Sequence, residues 1–357
     1  MAIPDLSCKT DVDGGQQCRG PFGSGGMMGE QLLTEVETDS CKGSQKKDQQ
    51  SSEDGSVDSD ASSDYDALSE NYFVGQVLGT GGFGEVRAGR RKSDHLPKCH
   101  TANLKMMWTC QNDVPIASFF GSSLQVAIKR IKRQSVNHSM SPPNDTESVP
   151  LELALMQLVS RPPACPAVIQ LLDWVITPSC VFLVMERPDP CMDLFDFMWE
   201  RGQCLTEPIA GSIFRQVVQA VHHCQSRGVL HRDIKPENIL VETSTQQTKL
   251  IDFGCGTLLN QKEYTSFTGT HFYAPPEWCL KKSYEAEPAT VWSLGVLLFE
   301  MLCGQVPFKR KEEVIRCNVI YTADISKECA SLIKKCLSRS PKERPTLEEI
   351  LMHPWVC

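Results

Sequence analysis

The chain has 357 residues, of which 41% are hydrophobic and 22% charged; this composition is typical of globular proteins, and the length exceeds one small module. No uninterrupted apolar stretch approaches 18 residues, and no basic segment followed by an apolar one opens the chain, so we expect neither a transmembrane helix nor a secretory signal. The 17 cysteines show no C-x-x-C or Cys/His spacing, which indicates reduced thiols of an intracellular protein, cytoplasmic or nuclear, rather than zinc ligands or a disulfide framework.

The net charge of −8 is concentrated at the N-terminus. Residues 1–70 carry 15 acidic and five basic side chains, and residues 51–70 hold seven carboxylates, seven serines and no basic residue. So polar a segment buries too little apolar surface to offset the entropy of ordering, which predicts a disordered tail over residues 1–70. Serines flanked by acidic residues also suit acidophilic kinases, and a tail that mimics a substrate or repels nucleic acid is a further alternative.

Two short strands follow the tail, on either side of a glycine cluster. Residues 72–78 and 85–89 have the strand pattern, and between them lies Gly79-Thr80-Gly81-Gly82-Phe83-Gly84. The spacing G-x-G-x-x-G is weak evidence alone, because glycines often only make a hairpin turn. A dinucleotide-binding loop would open a helix, whereas a strand follows here. This order favours a hairpin tip whose backbone N–H groups approach phosphate oxygens.

The segment 98–125 fits poorly between two strands. Structureless connections of this length are uncommon, and this one contains Met106, Met107, Trp108, Phe119 and Phe120. Three interpretations stay open: the segment packs on the small lobe, binds a partner, or is a non-coding segment retained in the gene model.

A lysine and a glutamate form the next candidate pair. Val126-Ala127-Ile128-Lys129 is a predicted strand ending in a lysine suited to hold the α- and β-phosphates of a nucleotide, a role that needs a carboxylate to orient its ammonium. The predicted helix after Pro150 carries Glu152 beside its apolar face, and we take it as the best candidate partner. A solvated lysine and an exposed helix glutamate are the alternatives.

The second half of the chain has helical spacing of apolar residues over residues 210–226, 292–303 and 329–337. Between the first two lies the most specific segment, His231-Arg232-Asp233-Ile234-Lys235-Pro236-Glu237-Asn238. Because Pro236 forbids helix continuation, we expect a loop that presents the Asp233 carboxylate to a hydroxyl proton and the Asn238 amide oxygen to magnesium. The strand ending at Asp252, before Phe253-Gly254, supplies a second magnesium-binding carboxylate.

In this order the segments resemble those of a protein kinase over roughly residues 72–357, apart from 98–125. They resemble more narrowly the Pim family of serine/threonine kinases. The narrower resemblance rests on Glu186-Arg187-Pro188-Asp189-Pro190, Asp193-Leu194-Phe195-Asp196-Phe197, Tyr273-Ala274-Pro275-Pro276-Glu277-Trp278 and Thr290-Val291-Trp292-Ser293-Leu294-Gly295. Most kinases have an aspartate where Thr290 stands, and Pim kinases also lack it.

The resemblance implies an α+β, bilobal protein kinase fold in residues 71–357. A small β-rich N-lobe with one main helix would span residues 71–186, with the atypical insertion at 98–125. The hinge would span residues 186–190, and the larger helical C-lobe residues 191–357. We expect a monomer that does not bind nucleic acid or a membrane.

The resemblance also implies ATP and Mg²⁺ as cofactors and a role for each site residue. Asp233, Lys235, Lys129 and Glu152 would be catalytic, and Asn238 and Asp252 would hold the metal. The nucleotide would contact Leu78, Gly79, Gly81, Gly82, Phe83, Gly84, Val86, Ala127, Lys129, Glu186, Leu240 and Ile251. The apolar members of this set would sandwich the base, although each is equally suited to plain core packing: Leu78, Val86, Ala127, Leu240 and Ile251. Pro188 has no backbone N–H to offer adenine, so one hinge hydrogen bond should be missing. Glu277 and Arg344 resemble a buried structural ion pair.

Substrate recognition and regulation complete these expectations. Asp193, Asp196 and Glu237 resemble the acidic residues that read arginine-rich peptides, so we expect protein substrates with basic motifs. Gln305, Lys309 and Arg310 stand in a region that is more acidic in the family, which should weaken the preference for distal basic positions. Ser266 and Thr268 replace family acids in the activation segment, so they are candidate phosphosites for Arg232. An unmodified segment held by packing is the alternative. A catalytically silent kinase fold used as a scaffold is the competing function.

Overall fold

The computed structural model describes residues 64–82, 84–92, 124–135, 139–140 and 149–357. Residues 1–63 of the predicted tail, Phe83 of the glycine cluster and residues 98–123 of the predicted insertion lie outside the described residues.

The small lobe is built on a five-stranded antiparallel sheet with the order β1-β2-β3-β7-β6. Two antiparallel strands of two residues each, β4 and β5, precede helix α1. Apolar residues of α1 such as Leu153 and Leu155 pack into the same core as Val181 and Leu183 of β7. The strands and the helix are β1 (Tyr72–Gly81), β2 (Gly84–Arg91), β3 (Gln125–Lys132), β4 (Ser139–Met140), β5 (Val149–Pro150), α1 (Leu151–Val159), β6 (Leu171–Ile176) and β7 (Cys180–Glu186).

Two predicted boundaries need correction. The tail was predicted to reach residue 70, but Tyr65–Leu68 form a 3₁₀ turn on the small lobe, where Leu68 is 1% exposed. The side chains of Tyr65 and Leu68 pack on the sheet, although the average composition of this acidic segment predicts disorder. The insertion was predicted to end at residue 125, but Gln125 opens β3 and pairs with Arg90.

The large lobe is mainly helical, with short strands near the sequence-predicted catalytic loop. Helix α3 begins after Thr206 with a proline in its first turn, where a missing N–H costs nothing. Helix α5 is apolar on all sides because it crosses the core, and it ends at Gly304, whose φ of 69° suits glycine. The elements are β8 (Cys191–Asp193), α2 (Leu194–Trp199), α3 (Glu207–Ser226), β9 (Val229–Leu230), β10 (Ile239–Glu242), β11 (Thr248–Leu250), β12 (Thr257–Leu258), α4 (Pro276–Lys281), α5 (Ala286–Cys303), α6 (Lys311–Arg316), α7 (Lys327–Cys336) and α8 (Leu347–Leu351).

The predicted helices over residues 210–226, 292–303 and 329–337 are confirmed by α3, α5 and α7, although α7 ends one residue earlier, at Cys336. Within the described part of the chain, α5 alone is long and apolar enough to cross a membrane. However, 78% of that stretch is buried inside the fold, as expected for the core helix of this lobe.

Candidate active site

The predicted glycine hairpin is present at the open end of β1 and β2. The strands pair up to Gly81 opposite Gly84, and Gly82 follows Gly81 at the tip. Gly84 has a φ of 131°, and a Cβ there would clash with the carbonyl oxygen of Arg130, so only glycine fits. A Cβ added at Gly79, Gly81 or Gly82 would meet no atom within 4 Å. The tip backbone is therefore accessible to a bulky anion.

The residues predicted to sandwich a base are all at least partly exposed. Leu78 is 43% exposed, and Val86, Ala127, Leu240 and Ile251 are intermediate. By contrast, Val126, Ile128 and Leu250 beside them are fully buried. The open faces of these strands thus hold apolar side chains that a flat ligand could cover.

Lys129 joins the two lobes through two carboxylates. Its ammonium nitrogen lies 2.6 Å from Oε1 of Glu152 on α1 and 2.9 Å from Oδ1 of Asp252 in the large lobe. The predicted Lys129–Glu152 contact is therefore present, and the lysine also contacts the predicted metal-binding aspartate. Lys129 and Glu152 are both buried, whereas Asp252 keeps 31% of its side chain exposed.

Opposing effects set the pKa values in this cluster. Burial would lower the pKa of Lys129, but the Glu152 and Asp252 carboxylates outweigh it and raise that pKa above its ordinary value. Burial raises the pKa of Glu152 in spite of the ammonium. Burial also opposes ionisation of Asp252, yet Lys129 holds the pKa of Asp252 below its ordinary value. Asp252 is therefore a charged, partly accessible oxygen donor.

Asp233 lies at the centre of a second network and is buried. Its Oδ2 accepts a hydrogen bond from the Asn238 amide at 2.8 Å and lies 3.0 Å from the Lys235 ammonium. Its Oδ1 accepts from both the backbone N and the hydroxyl of Thr270, at 2.9 and 2.8 Å. Lys235 in turn donates to the Thr270 hydroxyl at 3.0 Å.

No sequence pattern singled out Thr270. This residue is 37 positions from Asp233, and its hydroxyl contacts both Asp233, the candidate base, and Lys235. Its one sequence signal is its place three residues before Tyr273-Ala274-Pro275-Pro276-Glu277, the segment that carried the resemblance.

The expected loop around Asp233 contains a short 3₁₀ turn over Pro236–Asn238. Pro236 stands at the first position of that turn, where its missing N–H has no hydrogen bond to make. No helix runs into Pro236, because Lys235 before it is extended and the turn begins at the proline. The turn brings the Asn238 amide nitrogen onto the Asp233 backbone oxygen and carboxylate, both at 2.8 Å.

Asn238 and Asp252 suit a small divalent cation. Both hydrogen bonds of Asn238 use the amide nitrogen, so the amide oxygen is the atom that remains for a ligand. The backbone N of Ile251 donates to the Asn238 carbonyl at 2.9 Å, which ties the two ligand-bearing segments together. An amide oxygen and a carboxylate are hard donors of the kind that Mg²⁺ prefers.

Comparisons with known proteins agree with this arrangement. A family model described as the protein kinase domain matches residues 120–356. The chain is 41% identical over 292 residues to the serine/threonine-protein kinase pim-2 of Danio rerio, which covers 80% of this chain and 85% of that protein. The chain belongs to the protein kinase family.

Two further relatives support the narrower assignment to serine/threonine kinases. The kinase is 37% identical over 304 residues to serine/threonine-protein kinase prk-2 of Caenorhabditis elegans, covering 84% of this chain and 61% of that protein. It is 35% identical over 212 residues to the SNF-related serine/threonine-protein kinase of Homo sapiens, covering 57% and 27%. The predicted Pim-like serine/threonine protein kinase with an α+β fold is confirmed. Kinases of this family use ATP and Mg²⁺ and act on proteins.

The activation segment of the kinase is held by aromatic side chains. Phe267 stacks on Trp278 with ring centroids 5.7 Å apart and meets Tyr284 edge-on at 5.9 Å. Tyr264 stacks on Tyr284, and their backbones exchange hydrogen bonds of 2.8 and 3.1 Å. These aromatic contacts and backbone hydrogen bonds together give this segment a defined position.

Arg232 is bonded to backbone oxygens. Its Nε donates to the Cys255 carbonyl at 2.7 Å and Nη2 to the Gly256 carbonyl at 3.3 Å. The Thr268 hydroxyl donates to the same Cys255 oxygen at 3.3 Å. Thr268 and Ser266 are both exposed, and Thr268 is the one that shares an acceptor with Arg232.

The acidic residues predicted to read substrates occupy neighbouring elements. Asp193 caps α2 by accepting from the backbone N of Asp196 at 2.8 Å, and burial raises the pKa of Asp193. Asp196 and Glu237 are exposed, on α2 and on the adjacent 3₁₀ turn. Glu300 was not among the predicted substrate-reading residues, but it lies close to Glu237 and accepts a hydrogen bond from the Tyr273 hydroxyl. Burial raises the pKa of Glu300, the Tyr273 bond opposes this rise, and the Glu237 charge adds to it.

The predicted ion pair between Glu277 and Arg344 is present and bidentate. Arg344 Nη1 and Nη2 lie 2.8 and 2.7 Å from the two carboxylate oxygens, and both side chains are buried. It joins α4, at the end of the activation segment, to the C-terminal part of the lobe. This geometry fits the structural role that the resemblance implies.

Proposed function

We propose that the kinase transfers the γ-phosphoryl group of ATP, with Mg²⁺, to serine or threonine hydroxyls in basic peptides. The observation that carries this proposal is the double contact of Lys129 with Glu152 and Asp252. It brings a phosphate-binding ammonium from the small lobe onto the metal-binding carboxylate of the large lobe. Phosphoryl transfer depends chiefly on such positioning and charge neutralisation.

Asp233 would orient the substrate hydroxyl and accept its proton. Its carboxylate is already held by Asn238 and Thr270, so its direction is set before the substrate arrives. Lys235, 3.0 Å from Asp233, would steady the γ-phosphate beside the attacking oxygen. Asn238 and Asp252 would hold Mg²⁺, which neutralises charge on the phosphate oxygens when bound.

A basic peptide is favoured by the charges around this site. Exposed Asp196 and Glu237 offer carboxylates to arginine side chains, and a guanidinium binds a carboxylate with two parallel hydrogen bonds. Lys309 donates to Gln305 at 3.0 Å, and Arg310 pairs with Glu313 at 2.7 Å, so this end of α5 and α6 offers little negative charge. We therefore expect arginine close to the phosphorylated residue to matter more than arginine far from it.

Phosphate transfer to an arginine-rich serine peptide, compared between the wild type and Asp233→Asn, tests the chemistry. Removing a general base slows transfer by roughly a hundredfold or more, whereas nucleotide binding should persist. Asp324→Asn makes the same change at an exposed surface position and should keep wild-type activity. Equal rates for the wild type and Asp233→Asn would reject the mechanism.

A Mg-ATP thermal shift separates the competing scaffold function. A ligand that binds only the folded state raises the melting temperature. A shift without phosphate transfer in the wild type would favour the scaffold, and a shift with transfer would favour the kinase.

Replacing each arginine of the peptide in turn with alanine tests recognition of the basic residues. In the same assay, Glu237→Gln should raise KM about tenfold for the arginine-rich peptide and leave KM for the alanine-substituted peptide unchanged.

A further inference from the structure

The 3₁₀ turn before β1 contacts the base of the glycine hairpin. The hydroxyl of Tyr65 donates a 2.7 Å hydrogen bond to Oε1 of Glu85, the residue that follows Gly84. Glu85 pairs through its backbone with Thr80 in β1 and Arg130 in β3. The phenol therefore binds a side chain at the point where the hairpin enters the sheet.

The ring of Tyr65 is itself fixed from three sides. It packs on Phe182 with centroids 5.2 Å apart, and the guanidinium groups of Arg87 and Arg130 lie 5.2 and 5.5 Å from its centroid. Cation–π contacts of this kind favour one ring position. Burial, reinforced by Glu85, raises the pKa of Tyr65 to about 12, so the phenol stays a hydrogen-bond donor.

The neighbouring residues tie the same turn to the sheet. Asp64 accepts from Arg130 at 3.2 Å and from the Ser179 hydroxyl at 2.6 Å. Arg87 Nε donates to the Glu85 carboxylate at 2.6 Å, and with Tyr65 it lowers the pKa of Glu85. Leu68 packs in an apolar cluster with Ile128, Phe182 and Val184. We call this side of the sheet, which also carries Glu85 and Arg130, the outer face.

The opposite sides of β2 and β3 carry the predicted nucleotide-binding residues. Val86 follows Glu85 in β2 and pairs with Lys129, which precedes Arg130 in β3. Successive strand residues point to opposite faces, so a contact that holds Glu85 and Arg130 from outside also sets the backbone of Val86 and Lys129 inside. Gly84, between the tip and Glu85, packs on the Arg130 carbonyl.

We propose that Tyr65 is a positioning residue that holds the glycine hairpin in its nucleotide-binding geometry through Glu85. The inference rests on the proposed ATP-dependent function and adds to it a contribution from outside the nucleotide site. Loss of the Tyr65 hydroxyl should weaken Mg-ATP binding and leave the transfer step, which depends on Asp233, nearly unchanged.

The test compares Tyr65→Phe with Tyr72→Phe in the full chain. Tyr72 also lies on the outer face of the small lobe, and its hydroxyl donates to Asp173 at 2.9 Å. Tyr72 is the first residue of β1, at the end of the strand away from the glycine hairpin. Both variants lose one half-buried hydroxyl bond, so both should lower the melting temperature slightly. We expect Tyr65→Phe to raise the Mg-ATP Kd and the KM for ATP roughly fivefold with kcat unchanged, and Tyr72→Phe to raise neither.

A double-mutant cycle with Glu85→Ala tests whether Tyr65 acts on the hairpin through Glu85. If Tyr65 acts through Glu85, Tyr65→Phe should have no further effect on Kd in the Glu85→Ala background. Equal Kd values for Tyr65→Phe and the wild type, or equal rises in Tyr65→Phe and Tyr72→Phe, would overturn the inference. Absence of Mg-ATP binding in the wild type would instead reject the proposed function.

Discussion

The ammonium of Lys129 lies 2.9 Å from the carboxylate of Asp252, although the two residues are 123 positions apart in the chain. The contact crosses from the small lobe to the large lobe and brings the predicted phosphate-binding and metal-binding groups into one network. Because Glu152 holds the same ammonium from the other side, the position of Lys129 depends on two carboxylates.

Glu152→Gln should lower kcat/KM for ATP at least tenfold. The amide keeps the shape of the side chain but removes the negative charge beside the Lys129 ammonium, and a charge-assisted hydrogen bond contributes about 1.5–3 kcal/mol. Steady-state kinetics against ATP measures the loss. Glu328→Gln makes the same change in the first turn of α7, where the side chain is exposed, and should be silent. Equal kinetics for the two variants would contradict the assigned role of Glu152.

Thr270→Ala should reduce kcat about tenfold, whereas Thr270→Ser should retain most of it. Alanine removes the hydroxyl that donates to Asp233 and accepts from Lys235, and serine keeps both bonds. Peptide phosphorylation at saturating ATP distinguishes them. If serine were as damaging as alanine, the methyl group rather than the hydroxyl would be the important part of the side chain.

Phe267→Ala should impair activity more than Thr268→Ala does. Phe267 is the centre of the aromatic contacts that position the activation segment, and truncating a large packed aromatic costs about 3–5 kcal/mol. Thr268 contributes one hydrogen bond of 3.3 Å, so unphosphorylated Thr268→Ala should keep activity within about threefold of wild type. Protein shown by mass spectrometry to lack phosphate on Ser266 and Thr268 is the appropriate material. A larger loss in Thr268→Ala than in Phe267→Ala would indicate that the Thr268 hydroxyl bond, not the aromatic packing, orders the unphosphorylated segment.

The stability of the kinase should fall at mildly acidic pH because of His231. Burial lowers the pKa of His231 below its ordinary 6.5, although its bond to the Ile251 carbonyl opposes this. The unfolded chain therefore binds a proton near pH 6.5 that the native state excludes. The stability contributed by neutral His231 is present above that pH and is lost as pH falls towards the folded-state pKa.

Urea unfolding at about pH 7.5 and about pH 5.5 measures this effect, which has an upper limit of about 1.4 kcal/mol per pH unit for one group. His231→Phe keeps a ring against Phe253, where the centroids lie 4.9 Å apart, but removes the titrating group. Its free energy of unfolding should change less between the two pH values than that of the wild type. Identical changes would show that other groups are responsible.

Contacts within one sequence motif, or between a motif and an adjacent helix, could be predicted from the residues themselves. The long-range pair of Glu277 with Arg344 could be predicted only through the family resemblance. Contacts that depend on how a segment without a motif folds back could not be predicted. The pairing of Lys129 with Glu152 followed from a charged residue beside an apolar helix face. The bond of Thr270 to Asp233 depends on how the activation segment folds back over 37 residues, and no local pattern carries that information.

The turn at residues 65–68 was missed for a different reason. Composition averages over a window, and Tyr65 and Leu68 are the apolar anchors of a segment that is otherwise rich in serine and carboxylates. Two apolar residues three positions apart are too few to give a detectable hydrophobic periodicity. Their burial depends on the apolar outer face of the sheet, which becomes visible only when the strands are assembled.

The apolar outer face of the small-lobe sheet also limits how far the chain can be shortened from its N-terminus. Ile128, Phe182 and Val184 are fully buried there in a cluster that includes Leu68. Trimming the chain to begin at Asn71 would remove this cover and leave aliphatic and aromatic groups in water, the kind of surface that drives self-association and aggregation. A soluble, protease-resistant fragment therefore needs to include Asp64 to Leu68.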